Sequence, residues 1–336
     1  MIRRKFITLC KSKYRSFSSL SQPDIDIGYY CDVKNLSEVK QNISLRKGVG
    51  NLDRVLDIYS NLKAKDVSDS TREVLEQEFY SELSKLPNKT HPSVREYKDE
   101  PRLVHQLNEK KDFGTYTPLE FSEITRLMNL MRTDKLGQTC GHKSYYFLGE
   151  LAELEEALIK YAITHLIKEN FQLISVPDIL PKNILESCGM SINSDRTQIY
   201  SLDPIHHGSD LYLSGTAEMS LAGLLMNSVH SVKDLPVKLA AVSRCFRAET
   251  SNIIEERGVY RRLNITYNEN NTTKYVHTLN GTACAIPRLL ITLLETHQDP
   301  KGKIFIPEIL QPFINGKKVI TKNIAVPDLK LIKLKK

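Results

Sequence analysis

The first regular spacing of apolar residues runs through Leu36, Val39 and Ile43, and past Gly48 and Gly50 it resumes at Leu52, Val55, Leu56, Tyr59 and Leu62. Steps of three and four place such side chains on one face of a helix. A second stretch opens with Ser70 and Glu73 at capping-box spacing, carries a stripe at Leu75, Phe79 and Leu83, and stops at Pro87. Two such stripes pack most simply as antiparallel helices, which predicts a helical arm over residues 24–90. Residues 91–143 mix Pro, Gly, Asn and charge without a clear period and read as a linker, apart from a short helical signal at Phe121, Ile124, Leu127 and Met128. From residue 144 the pattern changes. Leu151, Leu154, Leu158, Tyr161 and Ile167 predict a long amphipathic helix, followed by a strand from Leu173 to Val176 that Pro177 ends. Strand signals return at 198–202, 211–215, 237–247 and 263–279, the last divided by the polar turn Asn268 to Thr273. The expected fold class is therefore α+β, with an antiparallel sheet flanked by helices across residues 144–316.

Charge adds less than its total suggests. The net +7 sits at the two ends: residues 1–23 carry +6 and residues 317–336 carry +6, which leaves −5 for the body. Any grip on a polyanion must come from local patches or tails. Residues 1–23 are basic, serine-rich and free of acids, with apolar residues among the charges, and read as a mitochondrial transit peptide rather than a solvated basic arm. The basic tail 317–336 suits either phosphate contacts or a solubilising role. No apolar run reaches the roughly 20 residues of a membrane-spanning helix, so no membrane is expected. The six cysteines are scattered without a CxxC pair or histidines at ligand spacing, which points to free thiols.

No dinucleotide glycine fingerprint and no phosphate-loop lysine motif occurs, so a nucleotide would need another scaffold. Three clusters invite chemistry: Thr216-Ala217-Glu218, Cys245-Phe246-Arg247-Ala248-Glu249, and His277 to Arg288, reading HTLNGTACAIPR. Alone, a Thr-x-Glu at a turn is usually a helix cap, and an Arg-x-Glu on a strand is usually a surface ion pair. Together, two arginines could hold two phosphates of one nucleotide while carboxylates contact an ammonium or a metal. His206 and His207 lie in a polar loop flanked by Gly208 and read as solvated.

From Gly141 through Asn315 the chain resembles the class II catalytic domain of seryl-tRNA synthetases. The helix after Gly149 and the strand ending at Pro177 resemble motif 1, Cys245 to Glu249 with Arg257 to Arg261 the first half of motif 2, and Asn280 to Arg288 motif 3. The helical pair with LPNKTHPSV resembles that family's arm and linker, and IPEILQPF its closing stretch. The resemblance implies ATP-dependent activation of serine and its transfer to tRNA(Ser), with Mg2+ on the phosphates, in the mitochondrial matrix, by a homodimer formed through the motif 1 helix. It assigns Thr216, Ala217, Glu218, Asn280 and Thr282 to serine, Arg247, Ala248, Glu249 and Arg288 to ATP, and the catalytic charge to Arg247 and Arg288.

One departure matters. After Arg261 the family continues with the return strand of motif 2 and several further segments, whereas here Arg262-Leu263-Asn264-Ile265 follows directly. With that strand go an adenine-stacking aromatic, a glutamate of the serine pocket and an acidic and serine cluster. The chain as written is expected not to activate serine. A non-catalytic paralogue that binds tRNA or dimerises as a regulatory partner is the competing reading.

Overall fold

The computed structural model describes residues 25–46, 48–64, 68–97, 100–133, 144–190, 199–208, 210–247 and 263–326. The expected leader and the join at Arg261 lie outside them. The chain divides into two compact units, the first from residues 1–104, 176–237 and 243–279, the second from 105–175, 238–242 and 280–336.

In the first unit, helices Leu52–Leu62 and Asp69–Ser84 bury Leu52, Val55, Ile58, Phe79 and Leu83, together with Val39 of helix Leu36–Leu45. The Tyr59 and Phe79 rings stack 5.6 Å apart. The second helix begins earlier than the Ser70 to Glu73 spacing predicts. Ser68 is in extended backbone and its oxygen accepts the Thr71 N–H, so Ser70 already lies inside the helix. Asn42, 4 % exposed, secures the segment after Pro87: its amide donates to the Asn88 carbonyl (2.8 Å) and its oxygen accepts the Thr90 N–H (2.9 Å). A buried amide with both functions engaged fixes that segment without a hydrophobic anchor.

A separate cluster of this unit gathers Leu180, Ile184, Leu185, Cys188, Met219, Leu263 and Ile265. Strand Ile179–Pro181 runs antiparallel to Leu211–Leu213, with Ile179 opposite Leu213. Strand Val229–Ser231 lies parallel to Thr266–Glu269, which turns back into Thr272–Tyr275. The hairpin turn is Asn270-Asn271, both at positive φ, as a two-residue turn matched to the strand twist requires.

The core of the second unit lies between helix Glu150–Lys168 and helix Ile286–Thr296. Leu151, Leu154, Ala157 and Leu158 of the first meet Leu290, Leu293 and Leu294 of the second, with Ile124, Leu130, Leu310 and Ile314 completing the cluster. Ile167, counted into the apolar stripe from its spacing, is 54 % exposed. Sixteen positions after Leu151, it falls on nearly the opposite side of a 3.6-residue helix. Gly149 opens the helix at φ 54°, with the Asn323 side chain where a Cβ would point. Gln298, 3 % exposed, exchanges two 2.8 Å hydrogen bonds with the Leu119 backbone.

Strand Gln172–Ile174 runs parallel to Leu239–Ala241, where an antiparallel neighbour was expected. Parallel pairing needs a long crossover, and here more than sixty residues separate the two strands. The start of the basic tail is packed: Val319–Ile320 pairs with Ile304–Phe305, and Ile320 is 2 % exposed. Glu150 accepts from the Thr321 N–H and hydroxyl, Lys317 pairs with Glu153 and Glu150, and the Asn129 amide donates to the Asn323 and Val326 carbonyls. Residues 327–336 lie outside the described residues.

Candidate functional site

The first unit brings Thr216, Ala217, Glu218 and Arg247 to one place. Strand Leu211–Leu213 delivers the chain into Ser214 and Gly215, both buried, and Thr216 then starts helix Ala217–Leu224 as its N-cap. The Thr216 oxygen accepts the Glu218 N–H at 3.4 Å, so the ordinary role of a Thr-x-Glu turn is filled. That contact uses a lone pair of the hydroxyl and leaves its proton available to an incoming acceptor. Glu218 sits in the first helical turn, half-buried, where its charge is favoured by the helix dipole.

Arg247 arrives from a different segment. The Phe246 N–H donates to the Ser214 carbonyl (3.0 Å), which sets the chain alongside the loop, and the Arg247 Nε–H donates to the Gly215 carbonyl (3.0 Å). With Nε committed to the Gly215 carbonyl, the two Nη groups are the donors through which a guanidinium can grip a phosphate or carboxylate. The oriented arginine, the hydroxyl and the neighbouring carboxylate together suit a small zwitterion with an anionic group at one end and an ammonium at the other.

Ser214 and Gly215 were not singled out in the sequence, although a Ser-Gly pair between a strand and a cap is a turn signal. Ala248 and Glu249 lie outside the described residues. Asn280, Thr282 and Arg288 belong to the second unit. Asn280 and Thr282 are exposed in a stretch without regular structure, and Arg288 is exposed on the first turn of helix Ile286–Thr296, its carbonyl accepting from the Thr292 hydroxyl (3.0 Å). That unit also holds a cavity of about 390 Å³ along helices Glu150–Lys168 and Ile286–Thr296, lined by His165, Cys284, Leu289, Thr292 and His297 among others. Burial raises the Cys284 thiol above its ordinary pKa. Among the described residues no group of three or more His, Cys, Asp or Glu could hold a metal ion.

No family model matches the chain. It is similar to the curated mitochondrial serine–tRNA ligase of Bos taurus, 28% identical over 336 residues, covering 74% of this chain and 64% of that protein. The mitochondrial serine–tRNA ligase of Mus musculus is 29% identical, covering 75% and 65%. The chain therefore spans just under two thirds of the length of these relatives. Among solved structures, the seryl-tRNA synthetase of Pyrococcus horikoshii, described as complexed with ATP, superposes with a TM-score of 0.69 at 19% identity, covering 89% of this chain and all of that one. The fold is accordingly the α+β class II type expected from the motifs.

Proposed function

We propose that this chain is a seryl-tRNA synthetase of the mitochondrial type, shortened within its catalytic domain, whose substrates are serine, ATP and tRNA(Ser). The observation that carries this reading is the fastening of Arg247 to the Thr216 loop, which couples an anion grip to a hydroxyl and a carboxylate. Relatedness to mitochondrial serine–tRNA ligases supports the same reading and, with the basic leader, a mitochondrial address in the matrix.

In this reading the serine ammonium faces Glu218, while the resemblance to motif 3 assigns Asn280 and Thr282 to its side-chain hydroxyl. Arg247 bridges the serine carboxylate and the α-phosphate, and the motif resemblance assigns Ala248 and Glu249 to ATP and Arg288 to its γ-phosphate. The carboxylate attacks the α-phosphorus in line and pyrophosphate leaves. A terminal ribose hydroxyl of the tRNA then attacks the seryl carbonyl and releases AMP. Neither step needs a protein nucleophile, because positioning and charge stabilisation lower the barrier. Mg2+ would be carried mainly by the phosphates and water, as is usual for this ion. A site that hydrogen-bonds a hydroxyl rejects the analogue lacking it, which separates serine from alanine.

The shortening bears on activity. Strand Leu239–Ala241 pairs with one strand among the described residues, and Val242 beyond it is 50 % exposed, consistent with a missing neighbour. The chain is expected to bind ATP, with Arg247→Ala weakening binding at least about tenfold, the scale of a lost charged contact. Serine-dependent pyrophosphate exchange is expected only when the return strand is restored. Absence of ATP binding, or equal binding by Arg247→Ala, would overturn the assignment. Exchange by the 336-residue chain itself would overturn the expected inactivity. Association through helix Glu150–Lys168 into a homodimer belongs to the same proposal, tested by sedimentation.

A further inference from the structure

We infer that Ser214 is a positioning residue that makes the Thr216 loop and Arg247 a single rigid unit; its bearing on ligands rests on the functional reading above. Ser214 is 1 % exposed and all its polar groups are engaged. Its N–H donates to the Asp178 carbonyl (2.7 Å), its carbonyl accepts the Phe246 N–H (3.0 Å), and its hydroxyl donates to the Thr216 carbonyl (2.7 Å). The next residue supplies the carbonyl that holds the Arg247 Nε–H. Two distant chain segments, those of Asp178 and of Phe246-Arg247, thus fasten onto the turn Ser214 to Thr216.

The hydroxyl is the part with a specific task. The Asp178 and Phe246 bonds use backbone groups and would persist with any residue other than proline at 214. The turn that follows is different: the Gly215 carbonyl holds Arg247, and the Thr216 carbonyl accepts the Ser214 hydroxyl at 2.7 Å beside a longer bond, 3.3 Å, from the Met219 N–H of its own helix. Remove that hydroxyl and the Thr216 carbonyl keeps its helix bond from Met219 but loses its shorter donor and its tie back to Ser214, so the turn ahead of the helix gains freedom to reorient. The Gly215 carbonyl then moves with it, and the Arg247 Nε–H loses its fixed acceptor. Groups for the ammonium side and for the phosphate side are thereby coupled through one side chain, although Ser214 touches neither ligand.

The experiment uses the full chain labelled with 15N-arginine, the Arg247 Nε–H signal being identified by its loss in Arg247→Lys. In the unsubstituted chain this proton should exchange slowly. Ser214→Ala should speed its exchange several-fold and weaken ATP and serine binding together by about fivefold each, the scale of one lost hydrogen bond. Ser214→Thr keeps the hydroxyl and should restore both readouts. Unchanged Nε–H exchange in Ser214→Ala overturns the inference, as does a general rise in exchange at all protected arginines, which marks a merely structural serine. If the unsubstituted chain binds neither ligand, the functional reading falls, and the Nε–H exchange still decides the role of Ser214.

Discussion

An arginine brings its charge on a planar fork, so what the fold adds at position 247 is direction. A lysine at this position would keep the charge and lose the fork, and Arg247→Lys is therefore expected to recover only a small part of the ATP affinity that Arg247→Ala removes, as read by titration calorimetry. Thr216 carries a second, separable duty as a helix cap. Thr216→Val should lower stability by about 1 kcal/mol in urea unfolding through the cap alone. His297 gives a pH signature in the other unit. Burial, and then the positive charge of Lys111, hold its imidazole below the ordinary 6.5. The unfolded chain therefore takes up the proton first, so this contribution to stability is present above the unfolded value and is lost as the pH falls below it. Unfolding free energies measured from about pH 7.5 to about pH 5.5 should decline, and His297→Gln should flatten part of that slope.

At the level of helices and strands, the strongest packing prediction concerns Leu154, fully buried between the long helix and helix Ile286–Thr296. Leu154→Ala is expected to cost about 2–5 kcal/mol, checked by denaturant unfolding, whereas Ile167→Ala on the exposed face should cost well under 1 kcal/mol. Local periodicity made these helices legible, because burial of a helix is written in residues three and four apart. The arm was readable for the same reason, and its start was displaced by two residues because Ser68 and Ser70 offer the same capping oxygen. Pairing between distant strands was not readable: nothing in Gln172–Ile174 names Leu239–Ala241 as its partner, still less its direction. The chemistry divides likewise. Thr216, Glu218 and Arg247 stand out by residue type, while two of the hydrogen bonds that hold Ser214, to Asp178 and Phe246, exist only once distant segments have met.

Over the whole chain, charge and construction point the same way: the excess of positive charge lies at the ends, and the body that carries the candidate site is mildly acidic. Recognition of tRNA(Ser) would then depend on local patches, and raising salt should weaken it with a shallow slope, since few phosphates are neutralised; a steep slope in filter binding would implicate the terminal lysines instead. The fastening of residues 317–326 onto Glu150 and Asn129 has a bearing on how the molecule comes into being. The long helix emerges from the ribosome about 150 residues before the segment that buttresses its first turn. Until that late arrival, the beginning of the helix and the strand Ile304–Phe305 wait without their neighbours, a long-range closure of the kind that slows folding. Nascent chains halted before Lys317 should accordingly stay sensitive to protease around Leu148 and Gly149, and become resistant only when the final stretch has been translated.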